Sequence, residues 1–260
     1  MMQQYKYRSA QELKTRALSM MAGRYGRAAM MTLSYFIWMY LISYAGSILS
    51  TMILRLPYFS SISSNTTADM VFTVLAALIT MFLGVIAEMF TCGICLYYLN
   101  VSTGRDAQTA DIFRGFRENP SEVFKISAFL LSPSLILSIP VNVVSELYII
   151  TSDIKWVIVS VILFAIASAG ALYLHLTYGI AFYVLLDFPS YSAGRVLGIA
   201  RQKMKGHRSR FFMIDLLFIP MFILGILSFG IGLIWIYPLI NECRTLFFLN
   251  LMNPEEQHIQ

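Results

Sequence analysis

Charge is scarce in this chain. Asp, Glu, Lys and Arg together make up 13% of its 260 residues, about half the share usual in soluble domains. With 58% hydrophobic residues and a mean hydropathy of +0.68, that scarcity excludes an ordinary soluble globular domain. Cysteine is scarce too. Cys92, Cys95 and Cys243 all lie in apolar stretches, where they act as small hydrophobes and outline no disulfide framework. Cys92-Gly93-Ile94-Cys95 has the spacing of a redox dithiol, but it is not at an exposed helix start, where thiolates are activated. Of three histidines, His175 stands alone in an apolar run. With no second His or Cys at ligand spacing, it reads as a helix–helix hydrogen-bonder, and neither a metal nor a cofactor is expected. Phosphate-binding glycine loops, a nucleophile elbow, paired carboxylates and HExxH are all missing. No residue is therefore assigned a catalytic role.

What the chain has instead is length without charge. Apolar blocks of about 20 residues or more are long enough to cross a hydrocarbon layer. They predict an all-α fold, a polytopic transmembrane helix bundle of about six spans with amphipathic helices on its inner face. A basic N-terminal helix occupies 1–27, the membrane domain 28–252, and a tail 253–260. The spans fall at about 28–54, 70–99, 123–147, 155–186, 211–228 and 231–252. Pro133 and Pro140 are expected to kink or break the third. The fourth exceeds the bilayer thickness, so it tilts or projects. The last two can also be read as a re-entrant hairpin.

The cations gather between the spans, so the net charge of +5 is not a nucleic-acid signature. Lys6, Arg8, Lys14, Arg16, Arg24 and Arg27 precede the first span, and Arg105, Arg114 and Arg117 lie between the second and third. Arg195, Arg201, Lys203, Lys205, Arg208 and Arg210 lie in 187–210, a segment with no acid after Asp187. Short loops rich in Lys and Arg face the cytoplasm. The asymmetry predicts a cell-membrane protein with both termini cytoplasmic.

The segment 187–210 has a pattern of its own. Phe188-Pro189-Ser190 reads as a helix start. Ala193, Val196, Leu197, Ala200 and Met204 then share one helical face, and Gly206 is a natural stop. One reading is a surface helix whose cations, Arg195, Arg201, Lys203, Lys205, Arg208 and Arg210, meet anionic lipid or a protein partner at the cytoplasmic face. The other is a loop that only sets topology. In the N-terminal segment, Ser9-Ala10-Gln11-Glu12 matches a capping box. It predicts a helix over about 10–21 with Leu13, Ala17, Met20 and Met21 on its apolar side and Gly23 at its end.

Four polar residues fall within spans and are the candidates for chemistry there: Glu88, His175, Glu242 and Arg244. A carboxylate at mid-bilayer is costly unless it is neutral, paired or facing water. Arg244 and His175 are the candidate partners of Glu88. Glu242 and Arg244 are two residues apart, so on a helix each must reach a different neighbour. Ala165, Ala169 and Gly170 form a small-residue stripe suited to close helix packing.

Several segments resemble a known family. They are Glu12-Leu13-Lys14 with Ala17 and Gly23, Gly93, and Asp111-Ile112-Phe113-Arg114-Gly115-Phe116. Tyr183, Asp187 and Pro189 follow, then Lys203-Met204-Lys205-Gly206-His207, Phe211-Phe212 and Gly230-Ile231-Gly232-Leu233. Together they resemble the bacterial membrane proteins classed as domain of unknown function 975. The last span departs from that pattern, with Tyr237-Pro238 for Pro-Tyr and Phe247-Phe248 for Phe-Tyr. The resemblance implies a multi-pass cell-membrane protein and carries no assigned activity. Two functional expectations remain: lipid or partner binding at the basic face, without enzymatic activity, or a small transporter using the intramembrane polar residues.

Overall fold

Ser9 and Glu12 exchange the two hydrogen bonds of a capping box, Ser9 N to Glu12 Oε2 at 3.0 Å and Glu12 N to Ser9 Oγ at 3.3 Å. They begin α1 (Ala10–Met21), which ends before Gly23, where φ is +76°. The computed structural model describes residues 5–54 and 66–256. The loop expected at 55–69 lies outside the described residues as far as 65, as does the tail beyond 256. The remaining helices are α2 (Tyr25–Leu54), α3 (Thr66–Thr103), α4 (Arg114–Arg117), α5 (Pro120–Thr151), α6 (Ile154–Tyr178), α7 (Ala181–Asp187), α8 (Ala193–Met204), α9 (Arg208–Leu227) and α10 (Leu233–Met252). A 3₁₀ turn (Thr109–Phe113) precedes α4. The fold is all-α. Among the described residues the one extended feature is a two-residue antiparallel pairing of Tyr5–Lys6 with Glu255–Glu256, which joins the two ends of the described chain.

Among the described residues, five helical stretches are long and apolar enough to cross a membrane: Tyr25–Met52, Val74–Thr103, Pro120–Thr151, Ile154–Asp187 and Arg208–Leu227. The overlong fourth span is divided between α6 and α7 by a turn at Gly179 and Ile180. The third is not broken. Pro133 cannot bond the carbonyl of Phe129, and the Ser132 hydroxyl donates to that carbonyl instead, at 2.7 Å. The freed acceptor is thereby satisfied and the helix continues.

The described chain divides into two units. One takes in 37–54, 66–88 and 124–175, parts of α2, α3, α5 and α6. Gly46 leaves room for Leu83, and Ser50 and Thr80 share a hydroxyl hydrogen bond of 3.3 Å. Pro133 rests on Gly170 of the small-residue stripe, where an added Cβ would lie 3.0 Å from the ring. Ile158, Val161, Ile162, Phe164 and Ile166 are exposed, as lipid-facing side chains are.

The other unit takes in 5–36, 89–123 and 176–256. Its centre is α10, whose second half is buried on every side, the mark of a core helix. α1 lies against α9 and α10 and buries Leu13, Ala17 and Met21 there. α9 and α10 form a hairpin of two 20-residue helices, each about 30 Å long and so of full membrane-crossing length. Its turn uses Phe229 and Gly230 at positive φ, and Gly225 faces Gly232 at a distance that leaves no room for a side chain.

Candidate functional site

The basic segments meet in the unit built around α10, held together by side chains reaching across the chain. After α3, residues 104–117 fold back over that helix because two glycines permit it. A Cβ on Gly93 would lie 2.3 Å from the Ile112 carbonyl oxygen, and one on Gly115 would lie 2.5 Å from that of Met89. Phe90 packs between Phe113 and Phe116. Asp111 Oδ2 accepts from Gln108 N at 3.0 Å and from Asn100 Nδ2 at 3.3 Å. Arg24 donates to Val101 O at 3.2 Å, and Arg27 to Ala107 O and Asp106. Hydrogen bonds from Gln108 and Arg27 hold the Asp106 carboxyl below its ordinary range.

The same side-chain traffic positions α8. Asn119 Nδ2 donates to Pro189 O at 2.8 Å, and Glu122 Oε2 accepts from Ala193 N. The helix therefore begins at Ala193 with an acid from another segment on its first turn, three residues later than the start expected at Ser190. Pro189 lies in the preceding turn, where Tyr191 N bonds Phe188 O. Gly206, at φ +85°, follows the helix end.

The six cations of 187–210 do not act as one patch. Arg201, Lys203 and Lys205 are exposed. Arg195 stacks on Tyr191 at 3.8 Å. Arg208 is half-buried and has a partner within the chain. Arg210 is folded inward, donating to Asn250 Oδ1 at 2.9 Å and lying over the rings of Tyr7 and Phe247. Tyr7 also touches His207, ring to ring, at 4.3 Å. Partial burial, with Arg210 beside it, lowers the His207 pKa. Gly198, Arg201, Gln202, Lys205, Gly206 and Arg208 line a shallow concavity of about 520 Å³.

The apolar stripe of α8 is not available to lipid. Val196, Ala200 and Met204 are each 0% exposed and Ala193 is buried with them, packed within the protein. An interfacial helix lies with that face in the bilayer; α8 instead turns most of it inward, with Leu197 half-buried, and presents its charged side.

The intramembrane candidates separate in the same way. Arg244 donates to Asp215 Oδ1 of α9 at 2.7 Å, an ion pair with side chains 25% and 21% exposed. Asp215 is the partner that sequence reasoning missed. It stands seven residues after Arg208, two turns along the same helix, and that register was the available signal. Glu242 accepts a 2.6 Å hydrogen bond from the Ser102 hydroxyl of α3, so it and Arg244 reach different neighbours. Glu88 and His175 belong to the other unit, are half-buried, and are not without partners. Cys92, Cys95 and Cys243 are buried and unbridged. Among the described residues, no three His, Cys, Asp or Glu side chains gather as metal ligands would.

An all-α fold with five helices of membrane-crossing length and apolarity, and charged side chains collected around one core helix, defines a polytopic membrane-protein class. Within it, the model of the family described as "Protein of unknown function (DUF975)" matches residues 2–255, and the chain belongs to that family. No curated protein and no solved structure matches it.

Proposed function

We propose that this is a multi-pass protein of the cell membrane, without enzymatic activity, that binds anionic lipid through the exposed cations of α8. The observation that carries the reading is the division of labour on that helix. Its apolar stripe is consumed by the protein, while Arg201, Lys203 and Lys205 are left exposed beside a concavity bounded by Gly198 and Gly206. Bare glycines beside cations leave room for a headgroup. Both ends of the chain on the cytoplasmic side follow from the basic-residue asymmetry. The end-to-end pairing of Tyr5–Lys6 with Glu255–Glu256 favours an even number of crossings, and α10 supplies the sixth.

Each cation near an anionic surface contributes about 1 kcal/mol. The triple variant Arg201→Gln/Lys203→Gln/Lys205→Gln should therefore lose about 3 kcal/mol of anionic-lipid binding, and salt should weaken the wild type in the same direction. The full chain is the right sample, because an isolated 187–210 peptide would expose the stripe that the protein buries. The measurement is retention of anionic against neutral lipid after extraction from mixed nanodiscs. Equal retention of both lipids, or no change in the triple variant, would end the proposal. A protein recovered through the same three residues, with no lipid preference, would replace it with a partner-binding reading.

A second reading, a small transporter or export component, draws on a different observation. Glu242 is 0% exposed and its Oε2 has no hydrogen-bond partner.

A further inference from the structure

Outside the α8 surface, Glu242 is a charged side chain fully buried in the protein. Its carboxyl comes from the middle of α10, and the described protein encloses it completely. One oxygen accepts from Ser102 at 2.6 Å; the other, Oε2, is buried without a partner. Two further buried hydroxyls lie in the same unit, Thr32 Oγ1 of α2 and Tyr98 of α3, and they face each other. The Tyr98 hydroxyl is beside Thr32 and within electrostatic reach of Glu242. Polar atoms so enclosed are normally satisfied, so the unpartnered carboxylate oxygen of Glu242 marks a place where a proton can be held.

Ser102 connects this place to water. It is half-buried and lines a cleft of about 210 Å³ shared with Arg8, Arg16, Asn250 and Asn253. The serine hydroxyl thus has the cleft within reach and the carboxylate as its hydrogen-bond acceptor. We propose that Glu242 is a proton-binding site, loaded and unloaded from this cleft through the Ser102 hydroxyl. A hydronium ion in the cleft gives a proton to Ser102 Oγ as the Ser102 hydroxyl proton passes to Glu242 Oε1. The products are one water, an unchanged serine and a neutral carboxylic acid. Loading removes the charge from a carboxyl that has no counter-ion at salt-bridge distance among the described residues. Unloading restores the ion whose one donor is Ser102. Ionisable groups buried among spanning helices serve proton relays in this way.

The charged and titratable groups around Glu242 are Arg24 in the turn before α2, Tyr97 and Tyr98 of α3, Lys14 of α1, Tyr183 of α7 and Asp215 of α9, with Arg8 and Arg16 lining the cleft beside Ser102. On its own helix they are Cys243, Arg244 and Tyr237. Arg244 is engaged by Asp215, and Arg24 by the Val101 carbonyl. None of these cations is within salt-bridge distance of Glu242 among the described residues, so a proton neutralises it directly where they act only at longer range. The inference does not depend on lipid binding, and either can fail alone.

The test is infrared difference spectroscopy of the full-length protein in nanodiscs during a pH titration. The expected result is a carboxylic C=O band that appears on acidification, is lost on raising the pH, and is absent from Glu242→Gln. Ser102→Ala removes the donor that favours the ionised form, so it should move the midpoint upward by about one to two pH units and slow hydrogen–deuterium exchange of the band. A wild-type band that Glu242→Gln leaves intact overturns the proposal. If Glu242→Gln does not fold, Ser102→Ala decides: an unmoved midpoint with an unchanged exchange rate overturns the proposal, and a raised midpoint with slowed exchange supports it.

Discussion

The two units of this protein draw on the same long helices and specify themselves by different means. In the unit of 37–54, 66–88 and 124–175, the buried apolar side chains among the described residues are Ala77, Val85, Ala87, Ile126 and Val144. Its helices meet through small residues and isolated hydroxyl bonds, and broad apolar surfaces are left exposed. The unit around α10 buries Tyr97, Tyr98, Phe211, Phe218, Phe247 and Phe248 completely. It also holds Glu242 and the Asp215–Arg244 pair. The comparison teaches that apolarity sets which segments can enter a membrane, whereas close backbone approach and polar pairing set how the second unit assembles. Between lipid-immersed helices, burial of apolar surface gives little preference for one arrangement over another.

The largest effect that would sharpen this contrast lies in a pair of glycines on one helix. Gly93→Ala places a methyl 2.3 Å from the Ile112 carbonyl oxygen and should cost about 3 kcal/mol, at the upper end of overpacking effects. Gly84→Ala, on the same helix in the other unit, meets nothing within 4 Å and should gain about 1 kcal/mol of helix propensity. Equilibrium unfolding in mixed micelles measures both. Similar values for the two would erase the distinction between the units.

A smaller effect is expected from the ion pair of the last two helices. Arg244→Met alone takes the guanidinium from Asp215 and should cost about 2 kcal/mol, less than for a fully buried pair because both side chains retain some exposure. Adding Asp215→Leu should recover most of the loss, since two apolar side chains fit the same surroundings. A double variant no better than the single one would mean that the charges do more than satisfy each other.

The smallest effect is a pH dependence. Burial, and next Arg210, disfavour the charged form of His207 in the folded protein. The unfolded chain therefore takes up the proton first, and stability present above about pH 6.5 is lost as the pH falls through the lowered folded value. His207→Asn should flatten that part of the melting-temperature profile. An unchanged profile would remove the Tyr7–His207 contact from the forces holding the ends of the chain together.

By itself the amino-acid order determined the class and the long apolar helices. Runs of apolar residues have few other ways to satisfy their backbone in lipid, and capping signals such as Ser9 with Glu12 act within one turn. Gly206 was legible as a helix stop for the same local reason. Only the tertiary structure decided that Ser132 would keep α5 whole through Pro133, that Glu122 would begin α8 at Ala193, and that Arg210 would turn inward while Arg201 stayed out. It also gave Arg244 its partner Asp215 and left one oxygen of Glu242 unsatisfied. A charge or an amide has many partners at comparable energy, and which one it meets depends on the packing of helices far apart in the chain. Periodicity names the face of a helix that will be buried; what lies against that face is settled by the fold.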